Sequence, residues 1–146
     1  MKIGFTGTRT GTTPEQHARL CRVVQELAPT EWHHGCCIGA DSESVDVVWE
    51  YAKSAKIVAH PPEKKGKMSY EALHISHEKR KPRPYLERNR DIVNEVEVLV
   101  ACPDGEDEEL WSGTWATIRA ARKKGIRIVI IWPDGNVTDE PATGLI

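Results

Sequence analysis

The feature that most constrains this chain is the regular alternation of short apolar segments with helices that have one apolar face. The apolar segments are expected to form strands at 2–6, 31–38, 56–59, 96–101 and 126–131. Because a helix separates successive strands, neighbouring strands should run parallel. We therefore predict an α/β fold of Rossmann-like type with three layers: a mostly parallel sheet of about five strands in the order 3-2-1-4-5, with helices on both faces.

Two of the predicted helices begin directly after loops that contain glycine and threonine, at 7–11 and 102–114. The first helix has a well-marked start, since Thr13 is in the N-cap position and Pro14 in the first helical position. The other helix should end at Gly125, a residue type that commonly terminates helices. Each loop therefore connects a strand to the start of a helix.

These two loops predict a binding crevice. With the strand order 3-2-1-4-5, they flank the point where the order reverses, which is where ligands bind in open α/β sheets. Unpaired N–H groups at a helix start favour an anion, and glycine lets the backbone approach it closely. Thr8 and Thr114 add hydroxyl donors, and Arg9 adds a guanidinium group. The alternative is that the glycines only form tight strand-to-helix turns.

Length and composition favour one domain, residues 1–146, because 146 residues with 39% hydrophobic content can close a core of their own. Within it, residues 63–84 are predicted to form a basic, lid-like insertion, and residues 133–146 a loose tail. The stretch 60–90 holds nine Lys or Arg and four Glu, while the whole chain has a net charge of −2. Such a basic island favours capture of a small anion, although a solvated surface loop explains it equally well.

Several classes of protein are disfavoured. No apolar run approaches the roughly 18 residues of a membrane span, and the first residues lack the pattern of a signal peptide, so we expect a cytoplasmic protein with no membrane partner. The four cysteines show no CxxC spacing and are expected to be reduced. Neither the dinucleotide motif GxGxxG nor the P-loop motif GxxxxGK[ST] is present, which argues against an ordinary dehydrogenase or ATPase.

Two groups of possible metal ligands were considered. The histidines and cysteines of 33–37 lie on a predicted strand, where neighbouring side chains point to opposite faces. Four residues could share one face of a helix near 70–79 but have no second motif to complete a metal shell: Glu71, His74, His77 and Glu78. We therefore predict no metal and no other cofactor.

Five short motifs occur in an order that resembles the SLOG superfamily. They are GFTGTR at 4–9, HGCCIGAD at 34–41, HPP at 60–62, RNRDIV at 88–93 and SGTW at 112–115. This superfamily contains the LOG phosphoribohydrolases, the SMF/DprA proteins and small stand-alone bacterial and phage proteins of YspA type, and the chain is most similar to the last group. The resemblance extends from Gly4 to about Pro133.

The resemblance implies a Rossmann-like domain that binds a nucleotide, such as a nucleoside monophosphate, or an ADP-ribose-like molecule. Dimers or larger assemblies are common among relatives, so a homo-oligomer is possible, although the sequence itself does not specify the oligomeric state. By analogy, the pocket and its phosphate site would be formed by Gly7, Thr8, Arg9, Gly39, Asp41, Arg88, Asn89, Ser112, Gly113 and Thr114. Arg88 and Arg90 lie two residues apart on a helix and cannot share a face, so we predict that Arg88 faces the ligand. Trp111 or Trp115 could stack on a base, although an indole more commonly packs in a core.

An enzyme that hydrolyses an N-glycosidic bond is the alternative. Thr117 stands where LOG enzymes carry a catalytic glutamate, and threonine supplies no carboxylate, so another acid would have to act. Asp41 and Glu87 are the best placed, although the first would also serve as a helix cap and the second as a solvated helix residue. A third possibility, binding of single-stranded DNA as in SMF/DprA proteins, is disfavoured by the net charge and the short chain, so no nucleic-acid partner is expected.

Overall fold

The structure, a computed structural model, describes residues 1–144. Its strands are β1 (Lys2–Gly7), β2 (Glu31–His34), β3 (Lys56–Ala59), β4 (Glu78–Lys79), β5 (Val98–Cys102), β6 (Arg127–Ile131) and β7 (Val137–Glu140). Its α-helices are α1 (Pro14–Leu27), α2 (Ala40–Tyr51), α3 (Tyr70–Ile75), α4 (Tyr85–Glu95) and α5 (Gly113–Lys124), and a 3₁₀ turn covers Lys65–Lys67.

The strands form one sheet in the order β4-β3-β2-β1-β5-β6-β7. Every neighbouring pair is parallel except β6 and β7. The five longer parallel strands therefore follow the predicted order, but the sheet has seven strands and not five. The two additional strands lie at the edges, where they need little apolar sequence: β4 has two residues, Glu and Lys, and β7 is largely exposed.

The sheet separates two apolar layers, as the alternation of side chains along its strands requires. On one face, Phe5, Val100 and Ile131 pack with α1 and α2. On the other face, Leu99 and Ile130 pack with α4 and α5. The three predicted layers are thus present, and the central strands β1 and β5 are buried between helices.

Two helix ends explain how the chain enters and leaves these layers. Thr13 caps α1 as predicted: its hydroxyl accepts from Gln16 N, and the Gln16 side chain accepts from Thr13 N. At the end of α5, Gly125 adopts φ 82°, and its N–H bonds back to the last turn of the helix. Both boundaries were therefore set by local sequence.

The second strand is shorter than predicted. It ends at His34, because the chain turns at Gly35 and Cys36 takes a left-handed conformation with φ 59°. The N–H of Cys36 donates to His34 Nδ1 at 3.0 Å, and its thiol donates to Ser69 O at 3.4 Å. These contacts replace the expected continuation of the strand through residue 38.

The two segments predicted to be irregular are partly ordered. Residues 63–84 contain the 3₁₀ turn, α3 and β4, and they pack along the outer edge of the sheet beside β3. The predicted loose tail contains β7, which pairs with β6 through residues 137–140, while its last two residues lie outside the described part of the chain. Across residues 1–144, no helix combines the length and apolar character that a membrane crossing requires.

Candidate functional site

A cleft of about 700 Å³ opens at the carboxyl ends of β1 and β5, where the strand order reverses. Both predicted loops border it, together with the starts of α2 and α4. Nine of the ten residues predicted for the ligand site line this cleft: Gly7, Thr8, Arg9, Asp41, Arg88, Asn89, Ser112, Gly113 and Thr114. The structure thus brings together residues that are distant in sequence, at the position expected for a ligand in an open α/β sheet.

One wall of the cleft consists of the loop at 7–13 together with the start of α2 at 39–41, and we call it the closed wall. Three of its backbone donors bond within the protein: Thr8 N donates to Cys102 O at 3.1 Å, and Gly11 N donates to Thr8 O at 3.3 Å. Thr12 N donates to Glu43 Oε2 at 2.8 Å. The start of α1 lies outside the lining residues. The prediction that this helix start offers free amides to a ligand is therefore wrong.

Two glycines of the closed wall are needed for packing. A Cβ at Gly7 would lie 2.5 Å from Ala40 Cβ, and one at Gly39 would lie 2.7 Å from Thr8 O and still closer to Arg9 O. Gly39 also has φ +87°, and Ala40 N donates to Thr8 O at 2.9 Å. Gly39 does not line the cleft. Its predicted place in the pocket is corrected: it lets the loop and α2 come into contact.

Arg9 is the part of the closed wall that faces outward. Its side chain is exposed, and its guanidinium carbon lies 5.3 Å from the centre of the Tyr85 ring. Among the residues that the structure describes, Arg9 forms no ion pair. Its charge is therefore free to meet an anion in the cleft.

The opposite wall consists of residues 109–114, including the start of α5, and we call it the open wall. Ser112 caps α5, since its hydroxyl accepts from Trp115 N at 3.3 Å. Within the described 144 residues, the N–H groups of Gly113 and Thr114 donate to no protein acceptor. The first turn of a helix carries a partial positive charge. This wall therefore has the two free amides and the helix end that suit an oxyanion.

Gly113 has no packing reason to be glycine. A Cβ built at this position meets no atom within 4 Å, and its φ lies outside the left-handed region. The contrast with Gly39 is direct, because that glycine is enclosed by backbone atoms. Gly113 also lines the cleft.

Thr117 lies in the cleft one turn after Gly113, and its hydroxyl donates to Gly113 O at 2.9 Å. This is the common back-bond of a helical threonine. The position that would carry a glutamate in a LOG enzyme is thus occupied by a side chain that is bonded to its own helix. A catalytic acid of this cleft has to come from another element.

The floor of the cleft contains Arg88, which is buried. Its Nη1 donates to Gly35 O and to His60 O, the latter at 3.1 Å, and its Nε donates to Asn89 Oδ1 at 2.9 Å. The prediction that this guanidinium points straight at a ligand is corrected, since most of its donors hold the loops after β2 and β3. Arg88 supports the floor, and Asn89 lies half-buried at the cleft surface.

Asp41 lies beside Arg88 and is 5% exposed. Burial raises its pKa to about 6, even though the charge of Arg88 and the bond from Cys37 N, at 3.2 Å, act in the opposite direction. A carboxyl with a pKa near neutrality can exchange protons at physiological pH. The other predicted acid, Glu87, is exposed and does not line the cleft, so the structure does not place it in the site.

Sequence reasoning missed Tyr85, which lies between two guanidinium groups. The centre of its ring is 5.3 Å from the guanidinium carbon of Arg9 and 5.3 Å from that of Arg88. Tyr85 is one turn before Arg88 and Asn89 on α4, so helical spacing from those two residues could have identified it. Of the two tryptophans considered, Trp111 is 93% exposed at the rim of the cleft, whereas Trp115 is buried against Trp132.

Neither metal cluster considered from the sequence forms. His33 and His34 point in different directions, the first to Glu31 and His60 and the second to Ser76. Helix α3 ends at Ile75, so it cannot carry His77 and Glu78 on one face. A different group, formed by His33, His60 and Glu95, is close enough to hold a metal ion.

The basic segment 63–84 was predicted to act as a lid, but none of its residues lines the cleft. Its arginines bond to nearby acids: Arg80 pairs with Glu78 and Glu95, and Arg83 pairs with Asp91. Its position beside β3 therefore does not support closure over this cleft.

No family model and no curated protein matches the sequence. Two solved structures have a similar fold. The molybdenum cofactor binding protein from Rippkaea orientalis has a TM-score of 0.66 at 16% identity, over 90% of this chain and 77% of that one. DNA processing protein A (DprA) from Streptococcus pneumoniae has a TM-score of 0.65 at 17% identity, over 88% of this chain. The chain spans about half the length of DprA, 49%.

These similarities concern the fold, since both identities are below 20%. The protein therefore has a mostly parallel, Rossmann-like α/β fold, as these two structures do.

Proposed function

We propose that this protein binds a nucleotide or a nucleotide-derived ligand, such as a nucleoside monophosphate or an ADP-ribose-like molecule, in the cleft between β1 and β5. The observation that carries the proposal is the open wall: two free N–H groups at the start of α5, beside a glycine with nothing against it. A phosphate group at this position would accept from Gly113 N and Thr114 N and would lie at the positive end of α5.

The remainder of the cleft suits the other parts of such a ligand. Arg9 supplies a positive charge across from α5, and an unpaired guanidinium favours phosphate over neutral ligands. Tyr85 and Trp111 supply aromatic surface on which a base can stack. The volume, about 700 Å³, is within the range of small-molecule pockets.

The neighbours in structure are compatible with this proposal. The one from R. orientalis is named as a protein that binds a cofactor, so this fold can hold a small-molecule ligand. We further propose that the chain is nearest to the YspA-type members of the SLOG superfamily, on the motifs from GFTGTR to SGTW.

Gly113→Ala provides a sharp test, because the added methyl group meets no protein atom but occupies space where a phosphate would lie. Calorimetric titration of the wild type with AMP, CMP, ADP, ADP-ribose, NAD and inorganic phosphate should identify at least one ligand. The substitution should weaken its affinity about 10-fold, which is about 1.4 kcal/mol. Gly66→Ala is the matched control, since a Cβ there also meets nothing and Gly66 lies outside the cleft.

Two results would contradict the proposal. Flat titrations with every compound, together with no nucleotide released from the purified protein in mass spectrometry, would refute nucleotide binding itself. Equal affinities of Gly113→Ala and the wild type would refute the placement of the phosphate at α5.

Hydrolysis of an N-glycosidic bond is a second candidate function, and the environment of Asp41 favours it. A buried carboxyl with a pKa of about 6 at the floor of the cleft can protonate a leaving base and then accept a proton from water. The positive charge of Arg88 lies beside Asp41 and would stabilise the negative charge of this carboxylate after it has given up its proton.

Chromatographic detection of free base from nucleoside monophosphates tests this candidate. Asp41→Asn should abolish the release of base, and Glu87→Gln should leave it unchanged, because Glu87 is outside the cleft. Release of base by Asp41→Asn at the wild-type rate would exclude Asp41 as the acid, and no release by the wild type would leave binding as the function.

A further inference from the structure

Three potential metal ligands from separate parts of the chain meet behind the cleft floor: His33 on β2, His60 after β3 and Glu95 at the end of α4. One ligand atom from each residue lies within 4.8 Å of the others. His33 Nδ1 is 2.8 Å from His60 Nε2, and His60 Nε2 is 3.7 Å from Glu95 Oε2. Both rings are buried, with 1% and 3% of their surfaces exposed.

These distances are close to those of a zinc site. Zn²⁺ binds nitrogen and oxygen at about 2.0–2.2 Å, so tetrahedral ligands are separated by roughly 3.4 Å. The separation of 2.8 Å has to increase by about 0.6 Å and that of 3.7 Å has to decrease by about 0.3 Å to reach this value. Rotation of the Glu95 side chain and a small tilt of the two rings would achieve this change.

The surroundings orient the first histidine as metal sites require. The other nitrogen of His33, Nε2, is 2.8 Å from Glu31 Oε1. A histidine that binds a metal usually donates its second N–H to a carboxylate or carbonyl, which fixes the tautomer of the ring. With its proton on Nε2, His33 presents a lone pair on Nδ1 toward His60 and Glu95.

The second histidine donates to the first, because the lone pair of His33 Nδ1 requires the hydrogen of the 2.8 Å bond to lie on His60 Nε2. Metal binding would move this hydrogen from Nε2 to Nδ1 of His60.

Each carboxylate near the group also faces a basic side chain. Arg80 donates to Glu95 Oε1 at 2.8 Å, which leaves Oε2 of this carboxylate for a metal. The same guanidinium pairs with Glu78, which also pairs with Lys56, and Glu31 Oε2 lies 3.9 Å from Lys2 Nζ. A cation would therefore be held by direct coordination to the two imidazoles and Glu95, and not by an excess of negative charge.

His60 and Glu95 also line a second cavity of about 300 Å³, which has room for a water molecule as a fourth ligand. The rest of its lining is mostly basic, with Arg80, Lys81, Arg83 and Arg88 beside Asp91 and Asn94. Zinc sites with three protein ligands and one open position are of the type found in enzymes, whereas structural zinc sites have four protein ligands.

We propose that His33, His60 and Glu95 form a binding site for one Zn²⁺ ion, with Glu31 as the partner that orients His33 and with a water molecule as the fourth ligand. The site is separate from the nucleotide cleft and does not depend on it. Arg88 connects the two, since its Nη1 donates to the backbone oxygen of His60 while its side chain borders both cavities.

The test is a titration of chelator-treated, full-length protein with Zn²⁺ in competition with a chromogenic chelator, followed by substitution with Co²⁺. The wild type should bind one equivalent, and the Co²⁺ form should show the intense visible absorption of a four-coordinate site. Histidine-selective ¹⁵N NMR should show His60 changing from the Nε2–H to the Nδ1–H tautomer.

Two substitutions and a control locate the site. His60→Gln keeps a donor toward His33 but removes a strong ligand, and Glu95→Gln removes the carboxylate; each should weaken Zn²⁺ binding at least 10-fold. His74→Gln removes a histidine outside the group and should leave the affinity unchanged. Should His60→Gln fail to fold, Glu95→Gln and the ¹⁵N spectra of the wild type still decide the question.

No equivalent of bound Zn²⁺ in the wild type, or undiminished binding by Glu95→Gln with no change in the His33 and His60 resonances, would overturn the proposal. Loss of binding in both variants with the control intact would support it. Nucleotide titrations need not change with either result, so this proposal and the proposed function can fail separately.

Discussion

The closed wall and the open wall of the cleft have similar compositions, since each contains glycine and threonine beside a helix that is capped by a hydroxyl side chain. Their backbone amides differ in whether they bond within the protein. In the closed wall, the amides of Thr8, Gly11 and Thr12 bond within the protein, and Gly39 is surrounded by backbone atoms. In the open wall, the amides of Gly113 and Thr114 have no acceptor in the described part of the chain.

The comparison shows that a glycine-containing loop after a strand is not by itself an anion site. Glycine in the closed wall allows two segments of the protein to pack against each other, and glycine in the open wall leaves space for something else. Only the contacts around each glycine distinguish these roles. Substitutions in the two walls test this difference in the contacts around glycine.

Gly39→Ala should destabilise the protein by about 3 kcal/mol or more, because alanine is strained in the left-handed region and its methyl group would collide with backbone oxygens. Gly113→Ala should change the stability by no more than about 0.5 kcal/mol. Urea unfolding of both variants measures the difference. Equal losses of stability would remove the distinction between the two walls.

Asp41→Asn should stabilise the protein at pH 7.5, by about 1–3 kcal/mol, because folding raises the pKa of this carboxyl from about 3.9 to about 6. Between these values the folded wild type binds the extra proton, so its stability decreases as pH rises from 4 to 6. Asparagine avoids this loss, and the difference between the variant and the wild type should therefore vanish below about pH 4.

Urea unfolding at pH 4.5 and pH 7.5 measures this effect. Asp104→Asn is the control, because Asp104 borders the same cleft but is exposed. If Asp41→Asn increased the stability equally at both pH values, burial of the charged Asp41 carboxylate would not lower the stability of the folded wild type.

Arg9→Met should weaken binding of the ligand identified by calorimetry by about 10-fold and reduce its dependence on salt, because an exposed charge acts through screened attraction. Arg90→Met removes an equal charge outside the cleft and should have no measurable effect. This pair tests whether the Arg9 side chain of the closed wall contributes to anion binding. Equal affinities for the two variants would assign anion binding to the open wall alone.

Much of the fold was predictable because it depends on local signals. The main helices and strands were predicted close to their observed bounds. The local signals were the capping box at Thr13, the helix-ending glycine at 125 and the five apolar segments. Strands β4 and β7 were missed because an edge strand needs backbone pairing but little apolar surface. The polar, exposed residues of such an edge strand cannot be distinguished from a loop by local apolar periodicity.

The residues of the site were located more reliably than their roles. Thr8, Asp41, Arg88 and Gly113 do share one cleft, but Arg88 donates mainly to backbone oxygens. A pattern of residue types cannot tell whether a guanidinium faces a ligand or a carbonyl group, because both are acceptors.

The sequence by itself determined the five main strands, the helices between them and the loops at the reversal of the sheet, since apolar periodicity and capping act over a few residues. Only the tertiary structure decided which backbone donors remain free, how deeply Asp41 is buried, and that His33, His60 and Glu95 meet. These properties depend on distances between segments that are remote along the chain, and such distances exist only once the sheet has assembled and its helices have packed against it.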